Sequence, residues 1–576
     1  MMSSWIVLAS VLLLLVCLIQ GKLKPALLFC GWAFAYLTFG VVETQELLGS
    51  FANPGLATLV LLLLVSLALE RSPLLDSLSS TLLTGNERWA RIKLMLTTAG
   101  FSAFLNNTAV VASFLSTLTK QNRFAPSRLL IPLSYASVLG GVTTLVGTST
   151  NLVVDSFVAD AGLPQFSMFQ FSAVGIPVAL ACIGVIALTT RFLPNHQQSD
   201  TSNKLNYFVT AEVIRGSAMV GSSIETNKLR GLQGLFLLEI DRNGRRISPV
   251  TPDELLQEGD RLLFTGEVEQ VHTLQQFHGL QVFGTEAEQL LTTNLVEVVI
   301  AHESELPGKT LQEVDFRTMF NAGVVGIRRG EKQLRGQLGR IPLRVGDSLL
   351  LAIGTDFFQH RNIDRNFHIL SDTLQYSRLG KNQSVWAMVG FAAVIALAAV
   401  NLLPLFTGLG LLLAVFLGTR LLSVQELRRR FPFDLVLIIG SALTIAKGLD
   451  NSGAADMIAG FMQAVFNGYG PYAALAGVFI LTLVLTELVT NNAAAALVFP
   501  IALSTAQGFG VDPMPFVMAV AYGASACFLI PYGYQTHLMV YSPGHYQMSD
   551  FIKAGGLVSL VYSVGVIALI PLVFPF

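Results

Sequence analysis

Four short polar clusters interrupt otherwise apolar stretches of this 576-residue chain. They are Ser102 with Asn106-Asn107-Thr108; Gly147-Thr148-Ser149-Thr150-Asn151; Thr486 with Thr490-Asn491-Asn492; and Gly533-Tyr534-Gln535-Thr536-His537. Polar groups at membrane depth are costly and mark ion or substrate paths. Each cluster is rich in short hydroxyl and amide side chains, the types found where a helix breaks. A break frees backbone carbonyls, which join hydroxyl and amide oxygens as ligands for a hard cation. It also aims a helix N-terminus, with unpaired N–H groups, at an anion. Helix capping and polar helix–helix contacts use the same residue types. That explanation suffices for one cluster but not for four in symmetric positions. None of the four holds Lys or Arg. A dianion bound there therefore needs cations beside it, which favours cation coupling.

The elements that carry the clusters can be read from hydropathy and basic charge. A span needs about 20 apolar residues in a helix. The first block has apolar runs at 5–20, 26–42, 53–70, 129–158 and 170–191. Between them, 88–119 starts with Arg88, Arg91 and Lys93, is followed by Lys120, Arg123 and Arg128, and is broken at Asn106-Asn107-Thr108. Basic flanks stay cytoplasmic, so both ends lie on one side. The spacing predicts a re-entrant hairpin with its tip at that break. The second block repeats the plan: runs at 384–403, 405–422 and 432–449, a stretch at 471–505 broken at Thr490-Asn491-Asn492, then 513–546 and 551–575.

Three further matches follow in the same order. Gly-Val-Ile-Ala-Leu occurs at 184–188 and 565–569; Asn107 precedes Gly147 by 40 residues and Asn491 precedes Gly533 by 42; Phe171 and Phe551 each follow a Met by three positions. The run Trp5–Ile19 lacks a basic n-region and a cleavage signal, and is followed by Lys22 and Lys24. It reads as a retained helix with its N-terminus outside. Five crossings then end inside after Arg191, and the second block starts inside at Lys381, with Arg420, Arg428–Arg430 and Lys553 also inside. Inverted repeats with broken helices near mid-membrane are a secondary-transporter plan.

Charge locates a soluble insert. Residues 201–370 hold 39 of the 73 Asp, Glu, Lys and Arg, and the chain is 13% charged overall. Net charge is −1, which gives no sign of a nucleic-acid partner. Cys17, Cys30, Cys182 and Cys527 show no metal or disulfide spacing and read as small apolar residues. Within the insert, 205–278 and 290–362 look like two copies of a small α/β module. Glu212-Val213-Ile214 matches Glu297-Val298-Val299, Gly221 matches Gly308, and Gly259-Asp260 before a strand matches Gly346-Asp347 before another. This pattern resembles the C-terminal subdomain of regulator-of-potassium-conductance (RCK-C) domains. The resemblance implies small-molecule or nucleotide sensing at a dimer interface. A dimerisation module without a ligand fits the same residues. No Gly-x-Gly-x-x-Gly of a companion nucleotide-binding half is present.

The membrane blocks, about 400 residues, resemble the divalent anion:sodium symporter family of the ion transporter superfamily. That family is marked by a Ser-Asn-Thr tip in each hairpin and a Gly-Thr-Pro-Pro-Asn-like loop after it. Phe433-Asp434 through Ala446-Lys447-Gly448 also looks like a helix shared across the superfamily. Within the family, the sequence is most similar to sulfate-transporter-like permeases. The resemblance implies a first sodium site at Ser102, Asn106, Asn107 and Gly147, and a second at Thr486, Thr490, Asn491 and Gly533. It implies substrate contacts from Asn106, Asn107, Thr108, Thr148, Thr490, Asn491, Asn492, Tyr534 and Gln535. Departures are Asn106 in place of Ser, Asn492 in place of Thr, and the missing double proline in both loops.

The expected fold is an α-helical polytopic membrane protein. It has two inverted repeats of five spans plus a hairpin each, at 1–195 (hairpin 88–119) and 380–576 (hairpin 471–505), around two RCK-C modules. The expected function is elevator-type symport of sulfate or a dicarboxylate with sodium. The protein is not an enzyme and needs no cofactor beyond the coupling ion. It sits as a homodimer in a cell membrane (the inner one in a bacterium) with the modules in the cytoplasm. Alternatives are a sodium/proton antiporter or arsenite-type permease, for which Glu487 is the one candidate buried carboxylate, an RCK-gated channel, and a receptor that has lost transport. Gly468-Tyr469-Gly470 lacks the Thr-Val run of a potassium filter and reads as a loop. His537 could carry protons, but an uncharged hydrogen-bonding role is expected.

Overall fold

The structure, a computed structural model, describes residues 4–20, 23–71, 85–121, 123–188, most of 206–282 and 295–369, and 379–576 except 467. Lys22 and Arg191, used above to orient the chain, lie outside the described residues. The first block contributes α1 (Ser4–Gln20), α2 (Pro25–Thr38), α3 (Thr44–Phe51), α4 (Pro54–Glu70), α5 (Glu87–Ser102), α6 (Asn107–Lys120), α7 (Leu130–Gly141), α8 (Ser149–Asp160) and α9 (Ser172–Leu188). The second contributes α10 (Lys381–Ala399), α11 (Leu405–Gly418), α12 (Val424–Arg429), α13 (Phe433–Asn451), α14 (Ala454–Val465), α15 (Gly470–Leu488), α16 (Asn491–Phe509), α17 (Met514–Ala524), α18 (Gln535–Tyr541) and α19 (Met548–Val573).

Among the described residues, five helical stretches are long and apolar enough to cross a membrane: α3 with α4, then α10, α15, α16 and α19. Shorter apolar helices, among them α1, α2, α9 and α11, accompany them. Their outer surfaces keep Trp5 (71% exposed), Trp386 (73%) and Leu572 (78%) uncovered, as suits lipid and not water. The protein is thus a polytopic, mostly helical membrane protein.

Two packing units can be distinguished. In one, the frame, α2 lies along α13 and α4 along α11. Close approach depends on glycine: Gly448 faces the Tyr36 ring and Gly440 the Phe51 ring, with no room for a Cβ. Glu46 of α3 accepts from Asn451 at the end of α13 (3.1 Å), while Glu426 of α12 pairs with Arg71 at the end of α4. Both glutamates sit in the word Gln-Glu-Leu, at 45–47 and 425–427, a match the sequence reading passed over.

The other unit holds both hairpins, α5–α6 and α15–α16. With them pack the interrupted helices α7/α8 and α17/α18, and the crossed pair α9 and α19. Tyr522 donates to Phe171 O (2.5 Å), and Tyr135 donates to Phe528 O (2.7 Å) and reaches Phe551 O (3.5 Å). The two Phe residues matched in sequence therefore meet tyrosines from the opposite block.

Between the blocks stand two five-stranded antiparallel sheets. The first has β1 (Asn206–Val213), β2 (Leu235–Arg242), β3 (Arg245–Ile247), β4 (Arg261–Glu267) and β5 (Leu280–Val282) in the order β3-β2-β4-β1-β5. The second has β6 (Leu295–Ile300), β7 (Ala322–Arg329), β8 (Lys332–Gln333), β9 (Ser348–Ile353) and β10 (Phe367–Ile369) in the order β8-β7-β9-β6-β10, the same arrangement. A register shift falls at Leu237/Glu239 in one and Val324/Gly326 in the other. Arg242 grips Asp260 through two nitrogens (2.9 and 2.8 Å), and Arg329 grips Asp347 (both 2.7 Å). These pairs hold both guanidinium groups above their ordinary pKa, first through the hydrogen bond to the aspartate. Gly221 and Gly308, and Gly259 and Gly346, all have φ between +78° and +83°. The matched glycines thus mark turns that a Cβ would strain.

Candidate functional site

Each hairpin tip is a helix end meeting a helix start. α5 runs out at Ser102, the chain turns through 103–106, and α6 begins at Asn107 with Asn106 as its cap (Thr108 N to Asn106 Oδ1, 3.0 Å). α15 runs out at Leu488, and α16 begins at Asn491 with Thr490 as its cap (Ala493 N to Thr490 Oγ1, 3.4 Å). The interrupted helices break opposite the tips, so that α8 starts after Thr148 and α18 after Tyr534. Four helix starts therefore face one space, three of them on helices of 12 residues or more.

That space is a cavity of about 310 Å³. Every residue expected to touch substrate lines it: Asn106, Asn107, Thr108, Thr148, Thr490, Asn491, Asn492, Tyr534 and Gln535, with Gly147 and Gly533. Its frame wall is Leu59, Leu62, Leu63 and Ser66 of α4, Phe391 of α10, and Pro432 and Leu435 at the start of α13. No Lys, Arg, Asp or Glu is among the described residues that line it.

Ser102 and Thr486, expected at the sodium sites, are fully buried and lie behind the tips, not on the cavity wall. Ser102 Oγ donates to Asn107 Oδ1, and the Thr486 hydroxyl lies between two acceptors, Asn491 Oδ1 (3.0 Å) and Ala524 O (2.6 Å). Asn107 turns its other end to the cavity, where Nδ2 donates to the Tyr534 hydroxyl (2.5 Å). Each block's tip also reaches the other block's loop: Thr108 Oγ1 to Gln535 Oε1 (3.0 Å), and Ser149 Oγ to Asn492 Oδ1 (3.4 Å). At Gly147 a Cβ would run into the carbonyl oxygens of Gly141 and Ala103, so only glycine lets the loop fold under the tip.

Three features differ from the sequence expectation or extend it. Glu487 is not the one buried carboxylate: Asp155 on α8 is 7% exposed and accepts from Phe166 N (2.9 Å). It lay inside the apolar run 129–158 and drew no notice there. Glu487 itself binds a loop. Its oxygens accept from the backbone of Phe528 (3.0 Å), Leu529 (2.9 Å) and Ile530 (3.2 Å) and from Cys527 Sγ (3.3 Å). Ser137, also unremarked in sequence, sits under Ser102 (3.2 Å).

His537 is fully buried. Its Nε2 meets Cys527 O (2.8 Å) and its Nδ1 meets Ser134 Oγ (2.7 Å). A carbonyl can only accept, so Nε2 carries a proton, while Ser134 Oγ also donates to Thr536 Oγ1 (2.9 Å). Both ring nitrogens are thus engaged within the protein. Gly468 and Gly470 take positive φ at the turn entering α15.

A family model described as "Citrate transporter" matches residues 10–523. An uncharacterized transporter of Synechocystis sp. is 29% identical over 94% of this chain and 92% of its own length. An uncharacterized transporter of Escherichia coli is 28% identical over 94% of both. Sodium/sulfate cotransporter 1 of Chlamydomonas reinhardtii is 28% identical over 62% of this chain and 42% of its own length. With a family match running from α1 into α17, the chain belongs to the citrate transporter family, and it is an anion transporter, not an enzyme.

Proposed function

We propose that the protein imports a small divalent anion together with sodium, with sulfate the leading substrate and a dicarboxylate the second. The observation that carries this reading is the two-faced asparagine at each tip. Asn107 presents Oδ1 to a buried hydroxyl at the back and its amide N–H to the cavity; Asn491 presents Oδ1 to Thr486 in the same way. The oxygen side suits a cation, with Ser102 or Thr486 and the freed carbonyls as further ligands. The cavity side, with helix starts and no cationic side chain, suits an anion. Each helix start contributes about 0.3–1 kcal/mol, up to about 2 when partly buried. That alone is small for a dehydrated dianion, so bound cations supply the remainder. The sodium/sulfate names of the algal relatives support the same assignment.

The antiporter reading is weaker because Glu487 spends both oxygens on backbone N–H groups and Asp155 spends Oδ1 on one. We further read the two blocks as inverted repeats and the two sheets as RCK-C modules on the cytoplasmic side. The hairpin unit would slide past the frame of a homodimer. Purified protein in liposomes should accumulate labelled sulfate in preference to succinate under an inward sodium gradient. Equal failure with both anions would defeat the proposal.

A further inference from the structure

The second sheet module touches both units of the membrane block, and we propose that it clamps the hairpin unit to the frame in this conformation. The proposal rests on the sliding-unit reading above.

On the frame side the contact is a chain of alternating charge. Lys24 before α2 pairs with Glu305 (3.2 Å), Glu305 with Arg365 (3.3 Å), and Arg365 with Asp434 at the start of α13 (3.2 Å). All four side chains are 37–41% exposed. On the hairpin-unit side the contact is dry. Ser348 Oγ donates to Ser542 Oγ (2.7 Å), and both residues are fully buried. Beside them Gly346, at φ +82°, lies against Leu538 and Tyr532. Tyr532 lines the transport cavity, so the module reaches within one side chain of the site.

The two contacts differ in strength. Exposed ion pairs contribute about 0–1 kcal/mol each and are screened by salt. A buried hydrogen bond loses its full desolvation cost when one partner departs. If the hairpin unit moves past the frame, Lys24 and Asp434 stay behind while Ser542 and Tyr532 travel. The ion-pair side is the one that opens, and the module rides with the hairpin unit. The clamp therefore sets how often the unit leaves its present position, and anything that weakens Glu305 or Arg365 releases it.

The test uses full-length protein in liposomes with Cys17 and Cys30 replaced by serine. Spin labels are placed at Asn382→Cys on the frame and Ser549→Cys on the hairpin unit, both exposed positions. Pulsed distance measurement should give one dominant distance at low salt. Glu305→Gln with Arg365→Gln should raise a second population roughly two- to tenfold, the range expected for losing weak surface pairs. High salt should do the same to the parent protein and add little to the variant, and Asp434→Glu should keep the parent distribution. Identical distributions in parent, variant and high salt would overturn the clamp. Sulfate uptake by the same samples is read separately. Its absence throughout, with the populations shifting, would sink the transport reading and leave the clamp standing.

Discussion

In the proposed site the tip asparagines tie cation and anion to one side chain, so their loss should be severe and selective. Asn107→Ala removes the partner of Ser102 and of Tyr534. Leaving a buried polar group unpaired costs about 1–3 kcal/mol, and each 1.4 kcal/mol is about tenfold in binding. Asn107→Ala and Asn491→Ala should each cut uptake by about 100-fold or more with the protein still folded by circular dichroism. Near-parent uptake in either would remove the site assignment. Glu487→Ala is expected to act on stability first. It strands the N–H groups of Phe528, Leu529 and Ile530, and should cost about 3 kcal/mol or more, visible as a lower thermal midpoint even without substrate.

At the level of elements, the hairpins and broken helices were legible because polar residues interrupting apolar runs have few other uses. The stretch 88–119 is α5 and α6, and 471–505 falls within α15 and α16. The paired modules were legible through Gly-Asp before a strand, which marks a positive-φ turn and the aspartate gripped by Arg242 or Arg329. Short α3 and α12 were missed because a helix of 8 or 6 residues leaves too little periodicity to stand out. The loop-binding role of Glu487 was not legible, since its backbone partners lie about 40 residues away and backbone N–H groups carry no sequence signal. Among the described residues, the insert contributes none of the cavity's lining. Deleting 205–365 with a short linker should therefore leave measurable transport, and a well-folded deletion without flux would make the insert obligatory.

At the scale of the molecule, the cavity's frame wall comes from the middle of α4 (Leu59, Leu62, Leu63 and Ser66), from Phe391 of α10 and from the start of α13. The start of α13 is also where Arg365 of the insert binds Asp434. At the start of α4 the two units are latched: Asn53 Nδ2 donates to Ser156 O (3.0 Å), and Lys447 of α13 pairs with Asp160 of α8 (3.1 Å). In an elevator both tips shift together against α4, with Thr108 and Gln535 still in contact.

Docking of the insert should respond to acid in a defined direction. The hydrogen bond from Lys24, then the nearby charges of Lys24, Arg365 and Lys309, outweigh partial burial and hold Glu305 below its ordinary pKa. A lowered carboxylate pKa adds stability above the unfolded value of about 4.3 and loses it as pH falls through the folded one. The ion-pair contact should thus be steady from pH 8 to 5 and weaken only below about 4, as read by the same label distances. Weakening near pH 6.5 would point to a histidine instead.

In the proposed cycle, cation binding makes room for a dianion in a site whose described lining residues carry no cationic side chain. It is tested most directly by initial uptake of labelled sulfate into liposomes, with external sodium replaced by choline at constant pH and membrane potential. Accumulation above equilibrium should disappear in choline and return with sodium. Undiminished concentrative uptake in choline would contradict it.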